Sequence, residues 1–135
     1  MRWRGRWPRW RIGSNFRGEG AVSEADCIFC KIAAGEIAAE VVHEEDDVLA
    51  FEDINGKAPV HLLVIPRQHV ASLEEIGELS DSVVKRLFEV SSAVAEKAGI
   101  AESGYAVRVN NGPDARQEVF HLHLHVMGGR RLGMP

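Results

Sequence analysis

Cysteine is scarce in this chain. Only Cys27 and Cys30 occur among 135 residues, too few for a small secreted domain stapled by disulfides, so a reducing cytoplasm is the expected compartment. Long apolar runs are missing as well. None approaches the roughly 18–20 residues of a membrane span, and the basic N-terminal stretch lacks the apolar core of a secretory signal, so no membrane partner is expected. An excess of positive charge is absent too: the formal net charge is −4, which argues against a general nucleic-acid binder. There is no internal repeat and no low-complexity tract.

What is present is enough for one domain with a sizeable core, since 45% of residues are hydrophobic. Charge is unevenly placed. Residues 1–20 hold six arginines and one glutamate, giving +5, and the remaining residues hold ten basic and nineteen acidic side chains, giving −9. All three tryptophans, Trp3, Trp7 and Trp10, lie in that arm. Residues 1–22 therefore read as a disordered basic extension without a catalytic role, and residues 23–135 as the domain.

The domain's elements are legible from periodicity. Residues 30–34 predict a short helix closed by Gly35. Residues 40–43 and 48–53 read as strands around the acidic turn Glu44–Asp47, taken as solvated. His61–Ile65 reads as a third strand ended by Pro66. Val83, Leu87, Val90, Val94 and Ala98 recur at helical spacing and predict one long helix over 80–98. Tyr105–Val109 reads as a fourth strand. His43 reads as an exposed strand end, and His69 as a surface or loop residue. Consecutive runs of strands favour an α+β fold with an antiparallel meander over a doubly wound sheet.

The fifth strand carries the chemistry. His121-Leu122-His123-Leu124-His125-Val126 alternates with the period of a strand, so Leu122, Leu124 and Val126 face a core and three imidazoles, roughly 7 Å apart, line the other face. Imidazole is costly to bury without a partner. Such an array either holds a metal or does chemistry on an anion. Neutral imidazole is a competent nucleophile near its unperturbed pKa of ~6.5, and its N–H groups can stabilise a phosphoryl oxygen.

These residues, with Ile28–Ile32, Leu49–Ile54, Ala58–Pro66, Val109–Gly112, Gln117–Phe120 and the Gly128-Gly129-Arg130 tail, closely resemble the histidine triad (HIT) family, and in particular its branch of purine nucleotide phosphoramidases. The likeness spans about residues 25–135. It implies a five-stranded antiparallel sheet with one long and one or two short helices, and a homodimer in which two sheets join into ten strands. It implies cleavage of a bond between an adenylyl or guanylyl α-phosphate and an amine or other leaving group, without a catalytic cofactor. His123 would be the nucleophile, and His125 would contact the α-phosphate with His121 supporting. Asp53 would bind the ribose, and Phe29, Ile37, Phe51 and Ile54 the purine. Asn110, Gln117 and Val119 would surround the phosphate. Arg116 and Glu118 depart from the small and hydroxyl residues of the best-known members. Glu118 becomes the candidate general acid, provided it carries a proton, and Arg116 a candidate phosphate contact.

Cys27 and Cys30 have the spacing of half a zinc site. His61 and His121, each at the start of a strand, are the expected second pair, and the resemblance to bacterial members with the same cysteines implies a structural zinc there. Three other readings compete: a nucleotide-binding scaffold with little catalysis, a hydrolase with a metal on the triad, and a Cys-x-x-Cys oxidoreductase. The last is weak because the pair does not follow a βαβ-type strand.

Overall fold

The computed structural model describes residues 24–133, and the Arg/Trp-rich arm lies outside the described residues. Cys27 caps the first helix, α1 (Ile28–Ala33), its Sγ accepting from the Cys30 backbone N–H. Three strands follow: β1 (Val41–Glu44), β2 (Val48–Glu52) and β3 (Val60–Pro66). The long helix α2 (Asp81–Lys97) starts where the Ser80 side chain accepts from the Val83 N–H, the usual role of serine before a first turn. Strands β4 (Tyr105–Arg108) and β5 (Leu124–Gly128) complete the sheet. Short 3₁₀ helices cover Glu24–Asp26, Leu73–Glu78 and Pro113–Ala115. No helix among the described residues is long and apolar enough to cross a membrane.

All pairings are antiparallel, in the order β1-β2-β3-β5-β4. This is the expected five-stranded sheet, but not a simple meander. Helix α2 crosses the sheet and delivers β4 to an edge, and β5 returns between β4 and β3. The most apolar strands thereby take the centre, where both faces are covered.

The two faces differ. On one, Val48, Ala50, Leu62, Val64, Leu124 and Val126 pack with Leu87, Val90, Val94 and Ala95 of α2. Ala95 takes the place expected of Ala98, which caps the helix and is exposed. Each large side chain buried here contributes roughly 1.5–3 kcal/mol. On the other face, Leu49, Phe51, Leu63 and Ile65 pack with Cys27 and Phe29. One transverse row on this face runs Phe51, Leu63, His125, Arg108.

Regular pairing of the histidine strand begins only at Leu124. The Leu122 N–H donates instead to the Val70 carbonyl, at 2.8 Å, so His121 to His123 stay outside the ladder. The acidic turn is not simply solvated. Glu45 accepts from Arg86 Nε and Nη2 at 2.7 and 2.9 Å and lies 2.8 Å from His43 Nε2, which makes His43 a half-buried partner rather than an exposed end.

Candidate active site

The second face opens into a cleft of about 520 Å³. Its apolar part is built by α1 and β2: Phe29 and Phe51 meet edge to face with centroids 5.3 Å apart, and Ile37 and Ile54 extend the wall. Ile54 is 90% exposed. An aliphatic side chain left in water at the lip of an apolar slot is surface that a flat ligand can cover.

His61, His123 and His125 line the cleft beside this slot. Backbone partners fix their protons, because an N–H only donates and a carbonyl only accepts. The Lys57 N–H donates to His61 Nδ1 at 2.9 Å. A neutral His61 therefore carries its proton on Nε2 and donates it to His125 Nδ1, at 2.9 Å. His125 in turn keeps its proton on Nε2. His123 Nδ1 donates to the His121 carbonyl at 2.7 Å, which leaves a lone pair on His123 Nε2. The rings of His123 and His125 lie 4.9 Å apart. The site thus sets a lone pair and an N–H donor on adjacent imidazoles.

Burial holds these rings neutral. Desolvation lowers the pKa of His123, and lowers that of His61 against the nearby Asp53 charge. It takes His125 to about 4, with help from its two histidine neighbours. His121 also falls to about 4 through burial, opposed by its bond to the Pro66 carbonyl.

Asp53 sits just past β2. Its Oδ1 accepts from the Asn55 N–H at 2.8 Å, and its Oδ2 lies 3.5 Å from His61 Nε2. The carboxylate is thus oriented before any ligand arrives. The loop behind it is tied from the far end of the chain, since Arg130 Nη2 donates to the Lys57 carbonyl at 3.0 Å. Gly129, at φ +95°, passes so close to Pro59 that a Cβ would come within 2.8 Å of it, which explains the glycine in the tail.

A second group of donors lies beside the cleft. Cys27, Cys30, His69 and His121 bring one ligand atom each to within 4.8 Å of one another. His121 Nδ1 is 3.3 Å from Cys27 Sγ, 3.5 Å from Cys30 Sγ and 3.3 Å from His69 Nδ1. A tetrahedron with Zn–N and Zn–S bonds of about 2.0–2.3 Å has edges of about 3.3–3.8 Å, so the spacing fits zinc. The proton pattern fits as well: His121 Nε2 donates to the Pro66 carbonyl at 2.8 Å, which leaves Nδ1 unprotonated toward the other three. His61, the ligand expected from the sequence, is not in this group. It points to His125, and His69, read as a surface residue, takes its place. The segment after Pro66 turns back so that Val70 pairs with Leu122, and this carries His69 to His121. Asp53, His61 and His125 also cluster, but the proton on His61 Nε2 blocks a metal there in this tautomer.

A profile of the HIT domain matches residues 34–132. The chain belongs to the HIT family. An uncharacterised HIT-like protein of Synechococcus elongatus is 44% identical over 110 residues, which is 82% of this chain and 96% of that one. The purine nucleoside phosphoramidase of Escherichia coli K12 is 38% identical over 108 residues, covering 80% and 91%. Among solved structures, a HIT family hydrolase from Clostridium thermocellum superposes with a TM-score of 0.78 at 42% identity, covering 82% and 96%. A histidine triad protein from Clostridium difficile gives 0.77 at 42%, covering 84% and 99%.

Within this HIT domain the remaining expected residues divide. Asn110, Glu118 and Val119 line the cleft, with Glu118 exposed at its rim. Asn110 Nδ2 donates to the Ala115 carbonyl at 2.8 Å. Gln117 is buried and does not line the cleft; its amide donates to the Ala71 and Val119 carbonyls and accepts from the Gly112 N–H. It shapes the loop. His69 carried no sequence signal, because it lies 52 positions from His121. Arg108 also went unread, although its alternation within β4 was visible.

Proposed function

We propose that this HIT domain hydrolyses the bond between a purine nucleoside 5′-phosphoryl group and an amine or similar leaving group, through a nucleotidyl-histidine intermediate. One observation carries the reading: the bond from His123 Nδ1 to the His121 carbonyl, 2.7 Å long, directs the lone pair of a neutral imidazole out through Nε2, beside the Nε2–H of His125. The kinship with a hydrolase and a phosphoramidase supports it.

In this mechanism the purine stacks in the slot of Phe29, Phe51, Ile37 and Ile54, and Asp53 accepts from the ribose hydroxyls. His123 Nε2 attacks the α-phosphorus. His125 donates to a phosphoryl oxygen as charge develops. The P–N bond to the leaving group breaks, and the amine departs with a proton taken from solvent at the open rim beside Glu118. Water then attacks the nucleotidyl-histidine, releasing the nucleoside monophosphate and returning the lone pair to His123. Asn110 and Val119 border the phosphate, with Gln117 positioning their loop.

Zinc on Cys27, Cys30, His69 and His121 has a structural part, pinning α1 to the segments around Pro66 and His121, and none of these steps passes through it. The chain pairs with a second copy into a ten-stranded sheet and works in the cytoplasm. The test is turnover of an adenosine 5′-phosphoramidate by the wild type and by His123→Ala. Loss of turnover with nucleotide binding kept supports the mechanism; wild-type rates in the variant refute it.

A further inference from the structure

Two arginines in the cleft have no part in that mechanism. Arg108 stands directly opposite His125 across the β4–β5 ladder, and residues opposite each other in an antiparallel pair project from the same face. Arg108 therefore shares the cleft face with His125, next to the phosphoryl site, and its charge reaches both His61 and His125. Its side chain is exposed and makes no hydrogen bond or ion pair among the described residues. Arg116 lies in the loop before the triad and lines the same cleft. Its backbone is left-handed, φ 63° and ψ 38°, and it is the single non-glycine residue with positive φ among the described residues. For a side chain with a Cβ that conformation costs about 1–2 kcal/mol. The turn itself is closed by backbone bonds from the Arg116 N–H to Pro113 and from the Gln117 N–H to Gly112, at 2.9 and 3.0 Å, which glycine would make equally well. The exposed guanidinium makes no bond among the described residues that offsets the cost. Glu118, on the same rim, pairs with neither arginine.

We propose that Arg108 and Arg116 make the leaving-group side of this cleft selective for leaving groups that carry an anion, a carboxylate or a phosphate, close to the departing atom. The inference rests on the nucleotidyl-transfer reading above and narrows its substrate class. A purine pocket closed by two aromatics and a carboxylate leaves the far side of the α-phosphate as the place where substrates can differ. Two guanidinium groups there, unpaired among the described residues, favour an anion electrostatically and offer it forked donors.

The experiment compares three adenosine 5′-phosphoryl substrates: the phosphoramidate of glycine, that of glycinamide, and diadenosine tetraphosphate. Each is assayed with the wild type and with Arg108→Gln, Arg116→Gln and the double variant. The readout is the ratio of kcat/KM values between substrates, so that leaving-group basicity cancels between enzymes. Each single change should lower the glycine-to-glycinamide ratio by about two- to fivefold, the range of an exposed charge pair, and the double change should lower it further. Added salt should shrink the wild-type preference. If only tetraphosphate cleavage falls in the variants, the anion is a phosphate; if the glycine ratio falls, it is a carboxylate. Ratios unchanged for both substrates in the double variant overturn the proposal. A wild type that cleaves none of the three overturns the hydrolase reading itself, and this proposal with it. Arg116→Gly separates charge from fold: it should raise the thermal midpoint by relieving the backbone and still lose the preference. Retention of the preference in Arg116→Gly removes Arg116 from the proposal.

Discussion

Two groups of histidines lie side by side in this domain and hold their protons in opposite ways. In one, His69 and His121 join Cys27 and Cys30, and the outer N–H of His121 donates to the Pro66 carbonyl. The inner nitrogen is left as a lone pair aimed at a shared centre. In the other, protons and lone pairs alternate from the Lys57 N–H through His61 to His125. What separates the donor set that fits a metal from the proton-bearing row is the backbone group met by the outer nitrogen, a carbonyl at His121 and an N–H at His61. The two groups touch at a single residue. His121 offers its ring to the first and its carbonyl to His123 of the second.

Breaking one group without the other sharpens this contrast. The largest effect is expected from His123→Ala, which should lower kcat for a phosphoramidate by at least about 10³-fold and leave AMP affinity nearly unchanged by calorimetry. His61→Ala should come next. It removes the donor to His125 Nδ1, frees that ring to change tautomer, and should lower kcat by about 10- to 100-fold, while bound zinc measured by atomic emission stays stoichiometric. His69→Ala should do the reverse: zinc is lost, the thermal midpoint falls by roughly 10 °C or more, and the protein that remains folded still turns over. If His61→Ala empties the metal site, or His69→Ala abolishes chemistry in folded protein, the division fails.

The pH profile gives a gentler test. Burial lowers the pKa of His123 and takes His125 to about 4. The neutral forms therefore persist below the ordinary imidazole range, and kcat/KM should hold as pH falls through 6.5, declining only at lower pH. A decline centred near 6.5 would mean the rings are not desolvated in the working enzyme.

The smallest effect concerns the turn at Glu45, whose pKa the Arg86 fork lowers to about 2, with His43 adding to it. A depressed carboxylate pKa contributes stability that is present above the unfolded value of 4.5 and is lost as pH falls toward 2. Glu45→Gln should cost about 1 kcal/mol or less at pH 7 by urea unfolding, and the gap to wild type should close between pH 5 and 2.

How much of this was legible beforehand follows from the range of the interactions. The alternation over His121–Val126 correctly sent Leu122, Leu124 and Val126 into the core against α2, because period and burial are local properties. The long helix was visible for the same reason. The fourth member of the Cys27, Cys30 and His121 group was not. His69 reaches the cysteines only because the chain after Pro66 doubles back on Leu122, and no spacing encodes that return. The sheet order was also hidden, since which edge receives β4 depends on the path of α2. Gln117 showed as a polar residue near a phosphate loop; that its amide is fully spent on Ala71, Gly112 and Val119 is a fact of tertiary packing.

The most direct test is to mix the wild type with radiolabelled adenosine 5′-phosphoramidate, quench within the first turnover, and locate the label by peptide mapping. The nucleotidyl-transfer mechanism predicts an acid-labile, base-stable adenylyl group on the peptide containing His123, gone in His123→Ala. Product formation by the wild type with no label on that peptide at any quench time would contradict it.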